Sequence, residues 1–141
     1  MIAVDTNVLV YAHREETAKH EATRRRLIEL AEGSTQWAIP VFCVSEFLRV
    51  ITHRRIFDPP FPVERAVVAT QRLLESPSLT VLLPGERHVE LFLGAMAEGG
   101  ASGNLVFDAQ IVALCRAAGV SVLLSEDRDF DRFPGLRREG L

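Results

Sequence analysis

The chain has 141 residues, 48% apolar and 25% charged, with a net charge of -3. That length and balance fit a single globular domain over residues 1–141 with its own hydrophobic core, and exclude a disordered chain. No apolar run approaches the roughly 18 residues needed to span a bilayer, and the opening Met1-Ile2-Ala3-Val4-Asp5 has no basic stretch to start a signal peptide, so a cytoplasmic protein without a membrane contact is expected.

Ile2-Ala3-Val4 reads as a buried strand ending at Asp5. Thr6 to His13 reads as a short helix, and Glu16 to Glu32 as a longer one closed by Gly33. Gln36 to Ile39 is a second strand stopped by Pro40. Val41 to Ile56 follows as a helix whose apolar stripe is Val44, Phe47, Leu48 and Ile51. Asp58-Pro59-Pro60-Phe61-Pro62 is a loop. Val63 to Glu75 is a helix and Leu79 to Leu83 a strand. Glu86 to Glu98 and Leu105 to Ala118 are helices, the second ended by Gly119 in a left-handed cap. Val120 to Leu124 is a strand, Asp127 to Phe133 a helical turn, and Arg137 to Leu141 an edge strand. Short apolar strands alternating with helices specify an α/β fold with a parallel sheet covered on both faces. Cys43 and Cys115 lie in apolar helical patterns and read as buried, reduced thiols.

In such sheets ligands bind beyond the carboxyl ends of the strands. Asp5 stands just past the first strand and Asp127 just past the last long one. Glu46 and Asp108 sit in helices among apolar neighbours, where an unpaired charge is costly. Three of the acids have a plain structural role open to them, whereas Asp108 sits in a stretch, 104 to 115, that is otherwise apolar or uncharged. Asp5 and Asp127 can cap the turns that follow them, and Glu46 can pair with Arg49. Taken together, however, the four pose a problem of repulsion: two like charges about 4 Å apart cost roughly 4 kcal/mol at an effective dielectric near 20. A cation resolves it. Oxygen-only ligands suit Mg²⁺ or Mn²⁺, and such an ion directs the chemistry towards a phosphodiester.

The mild acidity argues against holding nucleic acid by bulk charge. Basic residues nonetheless cluster at Arg24-Arg25-Arg26, His53-Arg54-Arg55 and Arg137-Arg138, and each cluster taken alone reads as a solvated helix face or tail. A receiver-like domain would need a lysine after a late strand, whereas the only lysine is Lys19. A haloacid dehalogenase-like phosphatase would need an aspartate where Asn7 stands. A Toprim-like reading uses Asp127 and Asp129 but leaves Asp5 and Asp108 idle.

Val4-Asp5-Thr6-Asn7 is similar to the opening of PIN-domain nucleases. Glu46 follows at the usual distance, and Asn104-Leu105-Val106-Phe107-Asp108-Ala109 and Ser125-Glu126-Asp127-Arg128-Asp129-Phe130 resemble the later acidic motifs. The resemblance runs from Asp5 to about Leu136 and is nearest to VapC toxins. It implies a three-layer α/β/α fold around a parallel sheet of four to five strands. It implies a Mg²⁺- or Mn²⁺-dependent endoribonuclease, silenced by a VapB-like antitoxin and usually homodimeric. Asp5 and Asp108 would be the main metal ligands, with Glu46 and Asp127 completing the cluster directly or through water. Thr6 and Ser125 would support them, and Asp129 would be a fifth acid. With RNA as the implied substrate, Arg24, Arg25 and Arg26 and His53, Arg54 and Arg55 become candidates for the RNA path. The competing reading is a PIN-like module that binds RNA or protein without cutting.

Overall fold

Each apolar run expected to be buried forms a strand in the computed structural model, which describes residues 1–141. The strands are β1 (Ile2–Val4), β2 (Trp37–Pro40), β3 (Leu79–Leu82), β4 (Val122–Leu124) and β5 (Arg137–Glu139). All pairings are parallel, in the order β3-β2-β1-β4-β5. The helices are α1 (Thr6–His13), α2 (His20–Glu32), α3 (Val41–Ile51), α4 (Val63–Leu74), α5 (His88–Gly99) and α6 (Leu105–Ala117), with a 3-10 turn over Arg128–Arg132. The expected α/β/α architecture around a five-stranded parallel sheet is the one observed.

Several boundaries differ from the sequence reading, and four of them have a clear local reason. The second helix starts at His20 because Thr17 Oγ1 donates to the Arg14 carbonyl at 2.7 Å and turns the chain there, a side-chain bond that competes with helix. α3 stops at Ile51, where the Phe61 N–H takes the Ile51 carbonyl at 2.9 Å and Thr52 Oγ1 the Leu48 carbonyl at 2.6 Å. β2 runs on into Pro40, which hands directly over to α3. β4 begins at Val122 because the Val120 N–H closes onto the Cys115 carbonyl at 2.8 Å, past Gly119 at φ 68°.

One cluster of 29 buried side chains forms the core, with Trp37, Phe47, Phe130 and Phe133 its largest members. On α3 the deeply buried line is Cys43, Phe47 and Ile51, while Val44 and Leu48 are only half-buried. The expected stripe therefore rotates towards Cys43. No helix is long and apolar enough to cross a membrane.

The strand order positions the site. From β1 the chain moves outward through β2 to β3, then returns to the other side of β1 as β4. The crevice at such a reversal, beyond the strand ends, is the binding position of open α/β sheets. Val4 pairs with Leu124 in register, so the next residues, Asp5 and Ser125, emerge side by side.

Candidate active site

Asp5 leaves β1 and caps α1, its Oδ1 accepting the Thr6 N–H at 2.8 Å. The capping role expected for it is thus real, but it occupies one side of one oxygen. Cys43 Sγ also faces Oδ1, at 3.7 Å. Oδ2 accepts from Ser125 Oγ at 2.7 Å and from Asn7 Nδ2 at 3.0 Å. Asp5 is nevertheless held up at about 6, because burial outweighs these donors and the charges of Glu46 and Asp127 add to it. Burial, then the nearby Asp5 charge, pushes the Cys43 thiol up, so it remains a weak donor.

Thr6 Oγ1 reaches Glu46 Oε2 at 3.2 Å, so the N-terminus of α1 steadies the acid of α3. Glu46 also makes the expected contact with Arg49, at 3.6 Å on an exposed face. Ser125 is fully buried behind Asp5 and accepts the Asp127 N–H at 3.0 Å. Asp127 in turn caps the 3-10 turn by accepting the Asp129 N–H at 2.9 Å.

Asp5, Thr6, Glu46, Asp108 and Asp127 line one cleft of about 280 Å³, walled by Tyr11, Ile56 and Phe57 among others. None of the residues lining it is basic. Asp108 is pushed up to about 7, first by partial burial and then by Asp127, Asp5, Asp129 and Glu46 in that order. Carboxylate oxygens of Asp108, Asp127 and Asp129 lie within 4.8 Å of one another. The fifth acid is therefore close to the third and fourth, although it is exposed.

The arginines separate from the acids. Arg24 lines a groove between α1, α2 and α4 with Phe61 and Arg65 rather than the acidic cleft. Arg26 is engaged by Glu29 at 3.5 Å and Glu139 at 3.4 Å. Arg25 is exposed on the same helix. Arg54 and Arg55 are exposed in the turn just before Ile56 and Phe57, beside the cleft mouth.

Residues 2–136 match the PIN domain family. The chain belongs to that family. Among its PIN-domain relatives, VapC ribonuclease Mb2897 of Mycobacterium bovis is 38% identical over 97% of this chain and 92% of its own length. Ribonuclease VapC31 of Mycobacterium tuberculosis is 34% identical over 97% and 96%. The fold is shared with Mycobacterium tuberculosis VapC20, a sarcin–ricin loop cleaving toxin, at a TM-score of 0.70 and 19% identity over 97% of this chain and 99% of that one. It is shared as well with a chain of Rickettsia felis VapBC2 bound to promoter DNA, at 0.71 and 19% over 99% and 98%.

Asn7 is the site residue that the sequence reading passed over. Its Nδ2 donates to Asp5 and, at 3.3 Å, to Ser125 Oγ, while its Oδ1 accepts the Glu126 N–H at 3.3 Å. It fastens the end of β1 to the end of β4. The signal was its place two residues after Asp5, on the first turn of a helix that Asp5 caps.

Proposed function

We propose that this PIN-domain protein is an endoribonuclease that hydrolyses RNA phosphodiester bonds with Mg²⁺ or Mn²⁺. The observation that carries the reading is the cleft itself: four carboxylates from separate elements, lined by no basic group. The curated relatives named above are ribonucleases by name, which supports the same reading.

The donor set fits such an ion. Its donors are hard carboxylate oxygens, the ligands preferred by Mg²⁺ and Mn²⁺. Asp5 and Asp108 would be the main ligands of the ion, with Glu46 and Asp127 completing the set directly or through water and Asp129, close to Asp108 and Asp127, on its exposed side. When bound, the cation supplies charge neutralisation and Lewis-acid polarisation of a phosphoryl oxygen. The chain's own groups do the positioning. Ser125, Asn7 and the Thr6 N–H fix both oxygens of Asp5, and Thr6 Oγ1 orients Glu46. Arg54 and Arg55 would guide the RNA at the cleft mouth, and Arg24 and Arg25 along the adjoining face. Arg26, already paired, would contribute least.

A VapB-type antitoxin is the proposed silencing partner, as in the VapBC complexes of the same fold. An antitoxin arginine entering the cleft would meet carboxylates with no basic residue among the cleft's lining, in charge-assisted bonds. The protein is proposed to act as a homodimer, which light scattering of the purified chain decides.

The deciding experiment incubates antitoxin-free protein with total cellular RNA in Mg²⁺, Mn²⁺ or EDTA, beside Asp5→Asn and Asp108→Asn. Discrete fragments that need metal and fall at least about a hundredfold in both variants are expected, since removing one member of a cooperating site costs that order. Absence of cleavage by folded protein that still binds Mn²⁺ would turn the reading towards a silent binding module.

A further inference from the structure

Beside the acidic cleft lies a second cavity, of about 630 Å³, between α3 and α6. Glu46 lines both, so the two adjoin at that side chain. Of the eight phenylalanines, Phe107 alone is exposed, at 68%. It immediately precedes Asp108 and lines this cavity opposite Phe42. An apolar ring held open to solvent, next to the most perturbed acid of the cleft, contributes nothing to the core.

Apart from Ile111, the rest of the lining is polar. Gln110 receives the Nε2–H of His88 on its Oε1, an assignment that leaves its amide donors uncommitted. His88 itself lies against Phe42 with ring centroids 5.8 Å apart, so it braces the inner aromatic wall. Arg49 is the one basic residue of the lining, 60% exposed and 3.6 Å from Glu46.

We propose that this cavity seats the nucleobase next to the scissile phosphate of the RNA. The base stacks on Phe107, the Gln110 amide donates to an acceptor on its edge, and Arg49 meets the neighbouring backbone phosphate. Stacking on an exposed aromatic ring beside a positive side chain is how unpaired bases are held. A paired base has no free face to offer, so the site selects an unstacked nucleotide and contributes to the choice of cleavage position. The inference rests on the nuclease reading given above, and it adds a specificity site which that reading does not require.

The test begins by mapping the cuts made in total cellular RNA. A synthetic RNA bearing the mapped site is then prepared intact and with an abasic residue on either side of the scissile bond. Phe107→Ala and Phe107→Tyr are compared with the unmodified protein on each. The expected result is a loss of about tenfold in kcat/KM for Phe107→Ala on intact RNA, carried mainly by KM. Phe107→Tyr retains activity, and the Ala variant shows no further loss on the RNA that is abasic at the seated position. Equal cleavage by Phe107→Ala on intact RNA would overturn the proposal, as would the same loss on every abasic RNA. A shift of the Ala variant from dimer to monomer, with no effect of abasic substitution, would assign Phe107 to an interface between copies instead. If the unmodified protein cuts no RNA at all, the nuclease reading fails first and the base seat falls with it.

Discussion

Ser125 Oγ donates to Asp5 Oδ2 at 2.7 Å, joining the ends of β4 and β1 across 120 positions of sequence. The same oxygen accepts the Asp127 N–H, so one buried hydroxyl orders two of the four cleft acids. Ser125→Ala strips a donor from Asp5 and leaves the Asp127 N–H without its acceptor. A loss of about 1–3 kcal/mol is expected in urea denaturation, the cost of an unsatisfied buried group. Because the lost bond lowers Asp5, the acid limb of the pH–rate profile moves to higher pH. An unchanged urea midpoint with an unchanged pH profile would mean that water replaces the hydroxyl and that Ser125 does not set the site.

Asp5 at about 6 and Asp108 at about 7 both lie above the ordinary 3.8. Between those values the folded chain binds more protons than the unfolded one, so metal-free protein loses stability as pH rises through the window from about 4 to 7. Glu16, through its own backbone N–H and then Arg14, and Glu126, through Lys19 first, shift the other way. Their contribution is present above their unfolded values and is lost only as pH falls further. Thermal midpoints measured in EDTA should therefore drop as pH rises from about 4 to 7. Asp108 is half-exposed, so its share is discounted for solvent screening to about 1 kcal/mol, or about 3 °C. Asp108→Asn should raise the midpoint at pH 8 by about that amount, and Mn²⁺ should raise it for the unmodified chain by mass action. Flat midpoints across the window in both proteins would contradict an uncompensated acid cluster.

Much of this was legible in the chain. Short apolar runs such as Ile2-Ala3-Val4 and Val122-Leu123-Leu124 have few alternatives to buried parallel strands, and the acids stand just past them. What was not legible depends on pairings between distant residues. Nothing local indicates that β4 returns beside β1, and that placement is what ties Asn7 to Ser125, a residue that the family resemblance and not the local pattern had assigned to the site. The exposure of Phe107 was hidden for the same reason. Its apolar neighbours imply a buried face, but the helix turns that position towards the cavity beside Phe42. The early end of α3 reflects the Phe61 N–H bond to Ile51, a contact from beyond the proline loop.

Arg14 shapes the cleft from behind. It is buried, donates to the Pro59 carbonyl at 2.9 Å, and lies 4.3 Å from the centre of the Phe57 ring, a wall of the acidic cleft. A guanidinium can bond and stack at once, which a lysine ammonium cannot do in the same plane. Arg14→Lys is therefore expected to cost about 1–2 kcal/mol in denaturation and to raise KM for RNA more than it lowers kcat. Full retention of both would show that the proline loop holds its place without Arg14.

Asn7 gives the sharpest separation of fold from electrostatics. Asn7→Asp keeps the shape but replaces the Nδ2 donor, 3.0 Å from Asp5 Oδ2, with a second carboxylate oxygen. At pH 8 two like charges then face each other, and about 2–3 kcal/mol of stability should be lost. Near pH 5.5 one proton shared by the pair restores a donor between the two oxygens, so most of that loss should vanish. Asn7→Ala removes the donor without adding charge, and its smaller loss should be the same at both pH values. Urea denaturation of the two variants at the two pH values reads the difference directly. Parallel losses in both variants would show that Asn7 acts by packing alone, and that the charge on Asp5 is not what it controls.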